Sequence, residues 1–274
     1  MPLVTVETVA RMIDHSLLNP ALTDAEMEAG LALARRHGVA SVCIKPYYVT
    51  RAVEVLDGTL VEAGTVVGFP HGGHATAVKV FEAEKAIREG AGELDIVVNI
   101  GKVLSGDWGY VENDLNEVLK ICKRGRALSK VIFENCYLND DQKIHLCKMC
   151  EALGADFVKT STGYGACGTG GSLTVPRIGA PGQGANPGAF GGATDADLKL
   201  MRENVTQKVQ VKAAGGVRTF ARLVEVMCLG VARVGATATE AILAEAAQVL
   251  GPGMEAEELY ARVTARPSPV DGTY

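Results

Sequence analysis

The sequence predicts an α/β protein folded as a closed (β/α)8 TIM barrel. Three observations lead there: eight short apolar, β-branched segments, a helix-patterned polar stretch after each, and a length of 274 residues, close to the usual size for eight such units. An open doubly wound sheet is the alternative that the same alternation allows. With 47% hydrophobic and 22% charged residues the composition is that of an ordinary soluble globular chain, and residues 1–274 read as a single domain.

The strand candidates, in order, are Met12 to His15, Ser41 to Ile44, Thr65 to Gly68, Leu94 to Val98, Lys130 to Glu134, Phe157 to Thr160, Val209 to Ala213 and Ala232 to Gly235. Helices are expected at about 23–37, 47–56, 74–89, 110–126, 139–153, 194–204, 219–229 and 239–249. Asn139 or Asp140 can cap the fifth, and Gly38, Gly90 and Gly230 stand where helix ends need a left-handed residue. One segment breaks the rhythm. Residues 165–193, directly after the sixth strand, hold ten glycines, three prolines and a single charge, Arg177, so a long loop is expected there, on the side where βα loops surround the active site of this fold. The tail 266–274 is punctuated by Pro and Gly and is expected to be mobile.

Thirty-two acidic against 27 basic residues leave a formal charge of −5, which gives no basic field to hold nucleic acid. No apolar run is long enough to cross a bilayer, and Glu7, Arg11 and Asp14 interrupt any secretory h-region. Seven cysteines, an odd number, read as reduced thiols and a cytoplasmic protein.

Reading the strands with period two separates a helix-facing side from the barrel interior. In the fourth strand Leu94, Ile96 and Val98 face the helices, which sends Asp95, Val97 and Asn99 inward. In the seventh, Gln210, Lys212 and Ala214 look inside, and with Val158 outward Lys159 of the sixth does too. Two lysines and one aspartate then converge near the C-terminal mouth. A structural salt bridge is the plain reading, but two cations for one anion leave a surplus positive charge, which is what a neutral lysine nucleophile needs. An ordinary lysine is neutral in roughly one molecule in 2,500 at pH 7. A second ammonium about 5 Å away, at an effective dielectric near 20, opposes protonation by roughly 3 kcal/mol, or about 2 to 2.5 pKa units, and desolvation can supply the rest. A nucleophilic amine in a barrel points to Schiff-base chemistry on a carbonyl, with Asp95 moving protons.

The last two strands end in glycine turns, Gly215-Gly216 and Gly235-Ala236-Thr237, where this fold often presents backbone N–H groups to a phosphate, with Thr237 and Thr239 as hydroxyl donors. Tight βα turns alone would also account for these glycines. Cys147 and Cys150 lie on an expected helix with no second pair, and His71 and His74 are similarly isolated, so no metal site is expected.

Read together, several motifs resemble the deoxyribose-phosphate aldolase family: Ile13-Asp14-His15-Ser16-Leu17-Leu18, Ser41-Val42-Cys43-Ile44, Gly68-Phe69-Pro70-His71-Gly72, Gly92-Glu93-Leu94-Asp95-Ile96-Val97, Lys130-Val131-Ile132-Phe133-Glu134, Asp156-Phe157-Val158-Lys159-Thr160-Ser161-Thr162-Gly163 and Lys212-Ala213-Ala214-Gly215-Gly216-Val217-Arg218-Thr219. The likeness runs from about residue 10 to 250. It implies a class I aldolase without metal or cofactor, acting on small phosphosugar and aldehyde substrates, that reversibly cleaves 2-deoxy-D-ribose 5-phosphate into glyceraldehyde 3-phosphate and acetaldehyde. Carried over by position, Lys159 resembles the Schiff-base lysine, Lys212 the lysine that lowers its pKa, and Asp95 the proton-handling residue. Gly215, Gly216, Gly235, Ala236 and Thr237 resemble the phosphate site, and Asp14, Ser16, Cys43 and Thr160 resemble substrate contacts.

The chain departs from the pattern in its longer connection at 165–193, in Tyr164 where some members have lysine, and in Lys45 where asparagine is common. It ends in Tyr274, and a terminal tyrosine donates a proton in some members. Two other readings stand beside this one: a Schiff-base aldolase with a changed substrate, and a catalytically silent sugar-phosphate-binding barrel. The sequence leaves the oligomeric state open, a homo-oligomer included.

Overall fold

The computed structural model describes residues 3–164 and 192–264. The loop expected at 165–193, apart from Gly192 and Ala193, and the tail with Tyr274 lie outside the described residues.

Eight parallel strands close into a barrel in sequence order: β1 (Ile13–Leu17), β2 (Ser41–Ile44), β3 (Glu62–Val67), β4 (Glu93–Val97), β5 (Leu128–Ile132), β6 (Phe157–Lys159), β7 (Gln210–Ala214) and β8 (Val231–Ala236), with β8 pairing back to β1. The helices are α1 (Val6–Ala10), α2 (Asp24–His37), α3 (Val49–Leu56), α4 (Thr76–Arg88), α5 (Ile100–Leu104), α6 (Trp108–Gly125), α7 (Asp140–Leu153), α8 (Asp195–Glu203), α9 (Phe220–Cys228), α10 (Thr239–Leu250) and α11 (Ala256–Thr264).

Local signals explain most boundaries. The Thr23 side chain accepts from Glu26 N while the Glu26 carboxylate answers at Thr23 N, a reciprocal cap that starts α2. Asn139 does the same with Gln142 for α7, which selects it over Asp140. Gly38 (φ 60°) ends α2 in the left-handed region. Three helices were not anticipated. α1 and α5 have five residues each, too short for a periodic face, although Thr5 and Asn99 cap them; α11 turns Leu259 and Val263 into the core against α9. β3 starts at Glu62, three residues before the expected Thr65, because Glu62 and Ala63 register with Ser41 and Val42 on β2; the exposed glutamate and Gly64 hide this from an apolar pattern.

The main core lies between strands and helices. Leu94, Ile96, Val131, Val158, Val211, Ala213 and Val234 point outward and are buried under the helical layer, each of the Leu, Ile and Val side chains worth roughly 1.5–3 kcal/mol of transfer free energy. On the inner side the only separate apolar cluster among the described residues is small: Leu18, Cys43 and Val66, flanked by Phe69 and Tyr164. Gly72 is required where it stands, since at φ 68° an added Cβ would lie 1.7 Å from the Val98 carbonyl oxygen.

Cys43, Cys122, Cys147, Cys150 and Cys228 are free thiols, but Cys136 is disulfide-bonded, which corrects the expectation of uniformly reduced cysteines. Among the described residues no helix is long and apolar enough to cross a membrane.

One ion pair ties two helices to the barrel. Lys79 of α4 is fully buried, donating to Asp114 Oδ2 on α6 at 2.6 Å and to the Val97 carbonyl at 2.9 Å, while Thr76 Oγ1 donates to Asp114 Oδ1 at 2.7 Å. Removing one partner strands a buried charge. Lys79→Met should therefore lower unfolding free energy in urea by about 3–5 kcal/mol, and Lys79→Met/Asp114→Leu should recover most of that loss.

Candidate active site

The barrel register places charged side chains on the inner face of five adjoining strands and β1. Asp95 on β4 pairs with Lys130 on β5, Lys159 on β6 lies beside Lys212 on β7, and Lys212 lies beside Arg233 on β8. Asp14 on β1 pairs with Gly235 on β8, and Glu93 sits one inward step below Asp95. Asp14, Glu93, Asp95, Lys130, Lys159 and Lys212 are all buried.

Their contacts form a continuous network. Lys159 Nζ donates to Asp95 Oδ2 at 2.5 Å and Lys212 Nζ donates to the same oxygen at 2.8 Å, so the two nitrogens lie no more than about 5.3 Å apart. Lys212 also contacts Asp14 Oδ2 at 2.6 Å. Lys130 reaches Asp14 Oδ2 (2.9 Å), Asp95 Oδ1 (3.4 Å) and the Glu93 carboxylate. The Arg233 guanidinium forks between Asp14 Oδ1 (2.5 Å) and Glu93 Oε1 (3.1 Å). Four cations thus meet three carboxylates. The sequence count of two cations against one carboxylate is corrected accordingly, although the surplus of one positive charge is the same.

Electrostatics separate the lysines. Burial pushes the Lys159 amine below the ordinary lysine value; Asp95 resists this, and the Lys212 ammonium adds to the depression. Burial therefore leads and the second lysine follows, which reverses the weighting drawn from sequence. Burial also acts on Lys212 and Lys130, but Asp14 and Asp95, joined at Lys130 by Glu93, outweigh it and hold both above the ordinary value. The carboxyls of Asp95 and Asp14 are held well below the usual range: burial opposes ionisation there, and the surrounding cations overcome it. Of three neighbouring lysines, one is therefore shifted down and two are shifted up.

The other residues singled out from sequence are spread around this centre. Cys43 Sγ lies 3.9 Å from Asp95 Oδ2, and burial, then the Asp95 charge, push its thiol up to about 11. Ser16, partly buried, stands beside Cys43 in the β1–β2 register. Thr160 Oγ1 accepts from Ala214 N (3.0 Å) and donates to Ala214 O (3.2 Å), so its hydroxyl clamps β6 to β7. Asp14 has both oxygens engaged by cations. Gly215 (φ 86°) and Gly216 (φ 84°) turn the chain in the left-handed region after β7. Gly235 and Ala236 close β8, and Thr237 is exposed. Thr239 is not a free donor at this turn: it is buried with its hydroxyl 2.8 Å from His15 Nδ1. α10 starts there with Ala238 at its N-cap and no side-chain cap, leaving its first N–H groups open, whereas Thr219 caps α9.

Sequence reasoning missed Glu93, Lys130 and Arg233. Glu93 lies two positions before Asp95, which period two sends inward, so one further step down β4 would have found it; Lys130 and Arg233 stand on strands whose inward face was not worked out from the sequence, and the same period applied to β5 and β8 reaches them. It also missed Glu134. That residue is buried at φ 57° beyond β5, accepts from Thr162 N at 2.9 Å, and has its carboxyl pushed up by burial. Opposite the lysines, Phe69 and Tyr164 meet edge to face at 5.5 Å over Leu18, Cys43 and Val66, an apolar wall beside a charged floor.

Residues 8–243 match the family model described as DeoC/LacD family aldolase. The chain is 50% identical over 248 residues to the deoxyribose-phosphate aldolase of Rhodopirellula baltica, covering 90% of this chain and 93% of that one. It is 41% identical over 238 residues to that of Caldanaerobacter subterraneus subsp. tengcongensis, covering 86% and 93%. Among solved structures, the tetrameric deoxyribose phosphate aldolase from Aeropyrum pernix superposes with a TM-score of 0.73 at 25% identity, covering 88% of this chain and 91% of that one.

With its thiol near 11, Cys43 is thiolate in roughly one molecule in a thousand at pH 8. A disulfide reagent at pH 8 should accordingly modify exposed Cys228 in the folded protein and leave Cys43 unlabelled until urea is added, as peptide mapping would show.

Proposed function

The chain belongs to the DeoC/LacD family of aldolases, and on that premise we propose that it reversibly cleaves 2-deoxy-D-ribose 5-phosphate to D-glyceraldehyde 3-phosphate and acetaldehyde, with Lys159 as the imine-forming amine. One observation carries the assignment. Of the three lysines inside the barrel, Lys159 is the one whose pKa is depressed, and it lies against the same carboxylate oxygen as Lys212, whose pKa is raised.

In this reading the neutral Lys159 amine attacks the C1 aldehyde of the open-chain sugar, a proton reaches the new oxygen, and water leaves to give a protonated imine. The C3 hydroxyl loses its proton, the C2–C3 bond breaks, and its electron pair flows into the imine to form an enamine, releasing glyceraldehyde 3-phosphate. A proton then returns to C2, and water hydrolyses the imine to acetaldehyde and free Lys159. Asp95, in contact with Lys159, Lys212 and Lys130, is the group within reach to relay these protons. Lys212, held charged, opposes protonation of the amine throughout.

The phosphate fits the turns after β7 and β8, where Gly215, Gly216, Gly235, Ala236 and Thr237 precede the uncapped start of α10. The apolar wall of Leu18, Cys43, Val66, Phe69 and Tyr164 suits the two-carbon fragment, with Ser16 and Asp14 near the sugar hydroxyls. Thr160 contributes by clamping the end of β6, next to Lys159, to β7. Cytoplasmic residence fits the five free thiols among the described residues, with Cys136 as the exception, and a homo-oligomer has a parallel in the Aeropyrum pernix aldolase.

The test is turnover of 2-deoxyribose 5-phosphate together with borohydride trapping of acetaldehyde and peptide mapping. Wild type should carry the reduced adduct on Lys159, and Lys159→Ala should lose at least about a thousandfold in kcat with no adduct. An adduct on another lysine, or none, would overturn the assignment and favour a silent barrel. Lys212→Leu removes the neighbouring positive charge, so the Lys159 pKa rises and the acid limb of kcat/KM should move to higher pH.

A further inference from the structure

Lys159 is faced by Cys43 from β2, Asp95 from β4, Lys130 on β5 and Glu134 beyond it, and Lys212 from β7; Asp14 and Arg233 complete the network behind them. Asp95 is its one carboxylate partner within ion-pair distance among the described residues, and Lys212 and Lys130 share that carboxylate. The other cations are better supplied. Lys130 contacts three carboxylates, Lys212 two and Arg233 two.

What keeps Asp95 divided is the state of the other two carboxylates. Asp14 gives one oxygen to Arg233 and the other to Lys130 and Lys212, and Glu93 gives one oxygen to Arg233 and the other to Lys130. Without the guanidinium, Asp14 would draw Lys130 and Lys212 more strongly and Glu93 would draw Lys130 more strongly, and Asp95 would be left to pair with Lys159. The same residue makes the charge balance: with Arg233 the cluster carries one surplus positive charge, and without it none.

We propose that Arg233 is a positioning residue for the reaction, which occupies Asp14 and Glu93 and supplies the positive charge that leaves Lys159 the least compensated cation of the cluster. This rests on the reading of Lys159 as the imine-forming lysine. The guanidinium acts through two carboxylates and a lysine. It is partly exposed, 15% at the side chain, and packs 5.9 Å from the Phe157 ring centroid at the inner end of the barrel. Its effect on Lys159 is therefore one of charge and of carboxylate occupancy.

Removing a positive charge stabilises the protonated amine, so the acid limb of kcat/KM moves to higher pH; removing a negative one moves it to lower pH. The shift expected of a unit charge about 10 Å away, at an effective dielectric near 20, is roughly one pH unit. The experiment is the pH profile of kcat/KM for 2-deoxyribose 5-phosphate cleavage, paired with borohydride trapping. Arg233→Gln should move the limb up by about one unit, and Arg233→Lys, which keeps the charge, should leave it near wild type. Glu93→Gln should move it down, and Arg233→Gln/Glu93→Gln, which restores the surplus charge, should bring it back. If Arg233→Gln does not fold, the opposite shift in Glu93→Gln and the wild-type limb in Arg233→Lys still test the claim. An unmoved limb in Arg233→Gln, a double variant shifted as far as the single one, or a Glu93→Gln limb that stays or rises would overturn it while the Lys159 adduct is intact. Absence of that adduct in wild type would overturn the aldolase reading as well.

Discussion

A single carboxylate oxygen, Asp95 Oδ2, receives two buried ammonium groups, and the rest of the barrel interior is arranged around that contact. Ionised groups cost several kcal/mol each when taken from water, and a lone Asp95–Lys159 pair inside the barrel would only break even. The network makes the arrangement tolerable because every charge has a partner and no two carboxylates lack a cation between them. It does so without neutralising the site. Apolar layers would fill the interior of such a barrel at lower electrostatic cost, so these charges are read as serving chemistry more than stability.

The fold supports this in two ways. Outward residues of every strand pack under the helices, so the polar interior needs no contribution from the apolar core. The parallel register fixes which inner residues meet: Lys159 beside Lys212, Asp95 beside Lys130, Lys212 beside Arg233. Thr160 adds a local clamp, since its hydroxyl bridges Ala214 N and O and ties the end of β6 to the strand that carries Lys212. Two ammonium groups from different strands can therefore be held against one oxygen without a flexible loop between them.

Much of this was legible in the sequence. Eight strand segments, eight of the helices and the inward direction of Asp95, Lys159 and Lys212 follow from periodicity alone. The misses have physical causes. α1 and α5 are too short to show a periodic face, and Glu62 at the start of β3 is exposed and polar. Glu93, Lys130 and Arg233 were passed over because a charge at the edge of an expected strand resembles a solvated end, and only ring closure turns it inward. Thr239 looked like a free hydroxyl because its partner, His15, lies 224 positions away on β1. The order of effects on Lys159 was also hidden, since the depth of burial follows from packing and a list of neighbouring charges does not contain it.

Two lysines on neighbouring strands, held against one carboxylate oxygen, have opposite electrostatic fates. The direct measurement is a heteronuclear NMR titration of lysine side chains in the folded wild-type protein, with signals assigned by substitution. Lys159 should titrate below the ordinary lysine value while Lys212 and Lys130 remain protonated beyond it. Lys159 titrating at or above the ordinary value, or Lys212 losing its proton first, would contradict the account.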